Sequence, residues 1–123
     1  MNKFLILPCS GIGKSLGSVA REAAYIVKER TDAIIKCLPR ITVGEKEALD
    51  LLNKSKIITI DGCPEECALK NVQFSNVEVF RAFRVGKFIR GKKLKPDGIL
   101  ELNEDGKKLA ELLAEKIIGE MYE

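Results

Sequence analysis

The chain predicts an α/β fold, a three-layer αβα sandwich of about four parallel strands in a Rossmann/flavodoxin-like arrangement. Three observations carry this. Short continuous apolar runs recur along the sequence, as expected of strands buried on both faces. Between them stand segments with helical apolar spacing, and alternation of the two produces parallel strands with helices on either side. The 123 residues are 46% hydrophobic and 32% charged, enough for one real core and too apolar for disorder. No repeat, low-complexity stretch or linker divides the sequence, so residues 1–123 read as a single domain.

The elements follow in order. Lys3–Leu7 is a first strand bounded by Pro8. Ser10–Ser18 holds three glycines and leads into a helix over Ser15–Arg30, where Val19, Ala23, Ile26 and Val27 recur at helical spacing. Asp32–Cys37 is a second strand, Leu38–Gly44 a loop, and Glu45–Asn53 a short helix with Ala48, Leu49 and Leu52 on one face. Lys56–Ile60 is the third strand. Pro64 suits the first position of the next helix, which leaves Cys63 near its N-cap and carries the helix to about Asn71. Asn76–Phe80 reads as a fourth strand, and the last helix starts near Asn103 or Glu104, striped by Leu109, Leu112, Leu113 and Ile117. The expected strand order is 2-1-3-4, which places a crevice between strands 1 and 3 with Cys9 and Cys63 flanking it.

Four cysteines and no histidine are the chemical signal. Cys9, Cys37 and Cys63 each follow an apolar run, so three distant parts of the chain end in sulfur at one edge of the predicted sheet. In open α/β sheets that edge is where ligands bind. Cys67 stands four residues after Cys63, a spacing that puts both on one helical face with Cβ atoms about 5–6 Å apart. Four thiolates about 2.3 Å from a common centre make a closed tetrahedral zinc site. Helix N-termini beside Cys9 and Cys63 favour the thiolate, and Lys14, Arg40 and Lys70 offset part of the charge. The same thiolates suit an iron–sulfur cluster. Without metal, Cys63 or Cys9 becomes a low-pKa nucleophile and Cys67 its resolving partner, which describes a thiol redox enzyme or a sulfur carrier. Four buried small side chains serving the core are the plainer alternative.

The residues that carry this signal resemble a known family. Pro8-Cys9-Ser10-Gly11, Cys37-Leu38-Pro39 and Ile60-Asp61-Gly62-Cys63-Pro64, with Cys67 and Lys70 following, are similar to the DGC-domain family. That family takes its name from the central Asp-Gly-Cys motif and is described as zinc-binding through four cysteines. The resemblance runs from about Leu5 to Asn71 and weakly beyond. Each family cysteine has a counterpart in Cys9, Cys37, Cys63 and Cys67. Pro39, Arg40 and Thr42 replace the more Ala/Gly-rich loop associated with the family. The resemblance implies zinc on these four residues and implies no reaction.

Three further signals weigh less. Ser10-Gly11-Ile12-Gly13-Lys14-Ser15 ends like a phosphate-binding loop, but Pro8 occupies the position of its first glycine, so nucleotide hydrolysis is not expected. Arg81–Lys95 holds seven basic residues and no acidic one, interleaved with Phe83 and Phe88 and preceded by Phe80. With a net charge of only +3, a solvated strand whose phenylalanines face the core is expected there rather than a nucleic-acid surface. Asp61 is either an acid near the metal or, more simply, a turn residue before Gly62. The apolar runs are too short for a membrane span or a signal peptide, and a cytoplasmic location with reduced thiols is expected. The partner, protein or small molecule, is not written in the sequence. A closed four-thiolate site speaks for a structural or carrier role, and its place at the ligand-binding edge speaks for acting on or presenting something.

Overall fold

Every β-strand of the sheet runs parallel to its neighbours. The computed structural model describes residues 3–9, 15–36, 46, 50, 53–62, 67–74, 78–93, 96 and 102–122. Four strands, β1 (Lys3–Cys9), β2 (Ile34–Ile35), β3 (Ser55–Asp61) and β4 (Val79–Arg84), form one sheet in the order β2-β1-β3-β4. That is the order the sequence predicts. The helices whose full bounds fall among the described residues are α1 (Ser15–Arg30), α2 (Cys67–Phe74), the single turn α3 (Val85–Phe88) and α4 (Glu104–Met121). The chain turns to one side of β1 to make β2 and to the other to make β3. The switch point therefore lies between β1 and β3.

Alternation along β1 and β3 sorts the two faces of the sheet. Ile6, Ile58 and Ile60 pack with α1 and α4 in the main core. Leu5, Leu7 and Ile57 face the other way and pack with Val72 of α2. These layers make the αβα sandwich. The helical layer over the first face is thin because its contact residues are small: Ala20, Ala23 and Ala24 of α1 and Ala110 and Ala114 of α4 are all fully buried. Alanine at such positions lets two helices approach closely and still press Leu109, Leu113 and Ile117 onto the isoleucines of the sheet.

Local chemistry sets the element ends. Thr31 terminates α1. Its hydroxyl donates to the Val27 carbonyl (2.7 Å) and accepts from the Ala33 amide (3.1 Å), turning the chain into β2. Asn103 caps α4, its side-chain oxygen accepting the Gly106 amide at 2.8 Å, an interaction worth about 1 kcal/mol. Gly106 leaves room for Leu102, since a Cβ there would lie 2.9 Å from the leucine Cδ2.

Several boundaries differ from the expected ones. Pro8 does not end β1. It lies inside the strand, in register with Ile60, and β1 continues to Cys9 opposite Asp61. The carbonyl of Ile6 faces β2 and accepts the Lys36 amide at 3.2 Å. Alternate residues point to the same side, so the next donor toward β2 would be the amide that Pro8 lacks. Pairing with β2 stops there, while pairing with β3 runs on. β2 itself is two residues, shorter than Asp32–Cys37. Among the described residues the fourth strand is Val79–Arg84, running past the expected end at Phe80 and carrying Phe83 into the core, while Asn76 and Val77 of the expected Asn76–Phe80 lie outside the described residues. A register shift between Ile57 and Ile58 admits this strand. α2 reaches Phe74, three residues past the expected end. Of Glu45–Asn53, Lys46, Asp50 and Asn53 are described and helical, while Ala48, Leu49 and Leu52 lie outside the described residues.

Candidate metal centre

The C-terminal edge of the sheet is built from the ends of β1, β3 and β4. Cys9, the last residue of β1, is in register with Asp61, the last of β3, which is in register with Arg84, the last of β4. Neighbouring strands lie about 4.8 Å apart, so the three backbones stand in a row about 10 Å long.

Asp61 organises this edge. Its side chain is only 1% exposed. An ionised carboxylate is costly to bury alone, and here the N-terminus of α2 receives it. Oδ1 accepts the Ala68 amide at 2.7 Å and Oδ2 the Leu69 amide at 3.2 Å. These are charge-assisted bonds to helix donors that have no partner within their own helix, and the helix dipole adds to them. Asp61 thus acts as a long-range cap that fastens the start of α2 to the end of β3. Beyond the local turn the sequence suggests before Gly62, these bonds reach seven and eight residues along the chain. Both oxygens being engaged with amides, the carboxylate holds the backbone in place.

The predicted cysteines are distributed over this frame as follows. Cys9 closes β1 beside Asp61. Cys67 is the first residue of α2, directly before the Ala68 amide that Asp61 holds. Cys37 and Cys63 lie outside the described residues, as do the phosphate-loop-like stretch Ser10–Lys14, Lys14 and Arg40. Cys37 follows Lys36, the last described residue bonded to β1, and Cys63 follows the buried Gly62. Lys70 is exposed on α2. Among the described residues no three metal-ligating side chains cluster.

Thr59 was not singled out in the sequence. It lies two residues before Asp61 on β3, fully buried, and its hydroxyl finds no hydrogen-bond partner among the described residues. A threonine inside an apolar strand run gives no sequence signal of this, because β-branched shape alone justifies it there. A buried unpaired hydroxyl costs about 1–3 kcal/mol, so Thr59→Val, which keeps the shape, is expected to raise the free energy of unfolding by about 1 kcal/mol in a urea titration. A loss of stability in that variant would mean the hydroxyl is satisfied.

The basic segment 81–95 is described through Lys93. Phe83 is buried, and Phe80 and Phe88 are half-buried against the main core. Arg81 lies over the Phe80 ring at 4.6 Å and Lys92 over the Phe88 ring at 3.9 Å. No described helix is long and apolar enough to cross a membrane.

A scan against protein-family models matches the DGC domain over residues 5–111. The match extends well past Asn71, where the legible resemblance fades, and takes in β4 and the first part of α4. Searches of curated proteins and of solved structures returned no match.

Proposed function

The chain belongs to the DGC-domain family, and from that membership we propose that it is a metal-binding protein whose ligands are Cys9, Cys37, Cys63 and Cys67, with zinc as the metal. Family membership is consistent with a metal-binding role. The observation that carries the finer reading is the Asp61 tether. It ties the start of α2, where Cys67 stands, to the strand end that lies in register with Cys9. Two cysteines 58 residues apart in sequence thus belong to elements joined at one corner of the sheet, beside the switch point.

The donor set fits a soft or borderline metal. The chain offers four thiols and no imidazole. Asp61, the described carboxylate of the motif, accepts an amide hydrogen bond on each oxygen, a role that holds backbone in place. Four thiolates fill a tetrahedral zinc site with no open position, so the metal supplies a fixed charge and a cross-link between strand ends. The N-terminus of α2 stabilises a thiolate at its first residue.

The test is elemental analysis of protein purified anaerobically, with a visible spectrum of the same sample. About one zinc per chain and no colour is expected for four thiolates. Each Cys→Ser substitution is expected to lower zinc content sharply, because a hard hydroxyl replaces a thiolate. A coloured sample with iron and sulfide would transfer the same residues to an iron–sulfur cluster. Fully reduced protein with neither bound metal nor affinity for zinc would sink the proposal.

A further inference from the structure

The cations of segment 81–93 are not spread along a solvated strand. Arg84 at the end of β4, Lys87 of α3, and Arg90 and Lys92 of the turn after it converge with Lys116 of α4 around a groove of about 540 Å³. Gly91, at φ 81°, lets the chain reverse so that Arg90 and Lys92 both border the groove. Glu120 is the acid on the wall, and it already bridges Arg81 (3.3 Å) and Lys116 (3.5 Å). Among the described residues the five wall cations outnumber that acid by four, more than the +3 of the whole chain, so the positive charge is concentrated here. Lys87 and Arg90 are exposed, and their side chains have no ion-pair or hydrogen-bond partner among the described residues.

Charged residues on an edge strand guard against strand-to-strand aggregation. That accounts for Arg81 and Arg84 on β4. It does not account for Lys87, Arg90, Lys92 and Lys116, which come from other elements and line the same concavity. Like charges gathered in a groove repel one another and persist at a cost unless an anion relieves them. The volume falls within the range of small-ligand pockets, about 300–1,000 Å³. Guanidinium forks bind phosphate oxygens bidentately, and lysines add point charges around them.

We infer that this groove is an anion site for a compact ligand carrying two or three adjacent phosphates. A long nucleic acid fits less well. Phe88 has a lysine over its face and Phe83 is buried, so among the described groove residues no aromatic face is open for a base to stack on. One wall residue of the groove, Arg84, is in register with Asp61 at the end of β3. The inference goes beyond the metal reading and holds whichever group the thiolates carry.

Calorimetric titration of the full chain with inorganic tripolyphosphate tests it. Saturable binding that weakens with added salt is expected. The double substitution Lys87→Gln and Arg90→Gln should weaken it by roughly tenfold, whereas Lys28→Gln with Lys54→Gln, at the opposite end of the sheet, should leave it unchanged. Circular dichroism on both variants checks that the fold is kept. A parallel titration with adenosine triphosphate separates the two sources of the chemistry. Tighter binding than tripolyphosphate identifies a nucleotide, and equal binding identifies the phosphate chain alone. Three results would overturn the inference: no binding by the unsubstituted chain, equal losses in the two double variants, or tighter binding of a single-stranded oligonucleotide than of tripolyphosphate at equal phosphate concentration.

Discussion

Replacing Asp61 with alanine is expected to lower the free energy of unfolding by about 3 kcal/mol, since hydrogen bonds to a charged group contribute about 1.5–3 kcal/mol each and two amides lose their acceptor. The amides are those of Ala68 and Leu69, at 2.7 and 3.2 Å. Asp61→Asn separates charge from shape. The amide side chain keeps one oxygen acceptor but presents an NH2 group to the second backbone N–H, so an intermediate loss is expected, about half that of alanine. Chemical denaturation of the three proteins reads the ranking Asp, Asn, Ala. The same substitutions carry a functional consequence. If the tether holds Cys67 where a metal needs it, zinc affinity falls in the same order. Equal stability of the aspartate and alanine proteins would show that the start of α2 is held by something other than this carboxylate.

The second large effect is in the main core. Leu113 of α4 is fully buried in the cluster that joins α1, α4 and the sheet isoleucines. Leu113→Ala removes its transfer free energy and leaves a cavity, a change that costs about 3 kcal/mol in well-packed cores. For a domain of this size a thermal midpoint about 10 °C lower is expected. The alanines opposite, Ala20, Ala23 and Ala24 on α1, have no flexible side chains to swing into the gap. A thermal scan that shows a shift of only a degree or two would mean that the two helices close up over the missing side chain. Zinc content should survive this change, because Leu113 belongs to the α1–α4 layer and the cysteine edge is tied together by α2 on the other face. Comparing Leu113→Ala with Asp61→Ala therefore separates general stability from the positioning of the metal edge.

The fold was legible from periodicity because burial on both faces leaves little choice. A run such as Ile57, Ile58 and Ile60, short and β-branched, reads as a strand buried on both faces. The bounds of α1 follow from its apolar spacing and agree with the structure at both ends. The start of α4 follows from the Asn103 cap. The strand order follows from chain economy: short right-handed crossovers leave few alternatives for four parallel strands. The end of β4 was misplaced because Val77 and Val79 look as good as Phe83 in one dimension. Only packing against α4 and the register shift in β3 carried the strand on to Phe83.

At the candidate site, the sequence by itself nominated the residues proposed to carry chemistry. The thiols, their places after strands, and Asp61 within Asp61-Gly62-Cys63 are all read from order and residue type. What only the tertiary structure decided is how they are held. Asp61 reaches α2 because strand and helix converge there, and a carboxylate buried at 1% exposure must find donors. The basic segment, plain as a count, became a groove because Lys116 and Glu120 arrive from a helix that begins 20 residues after Arg84. Periodicity reports the face on which a residue lies, through interactions a few residues long. Convergence of distant segments depends on long-range contacts that no local pattern encodes.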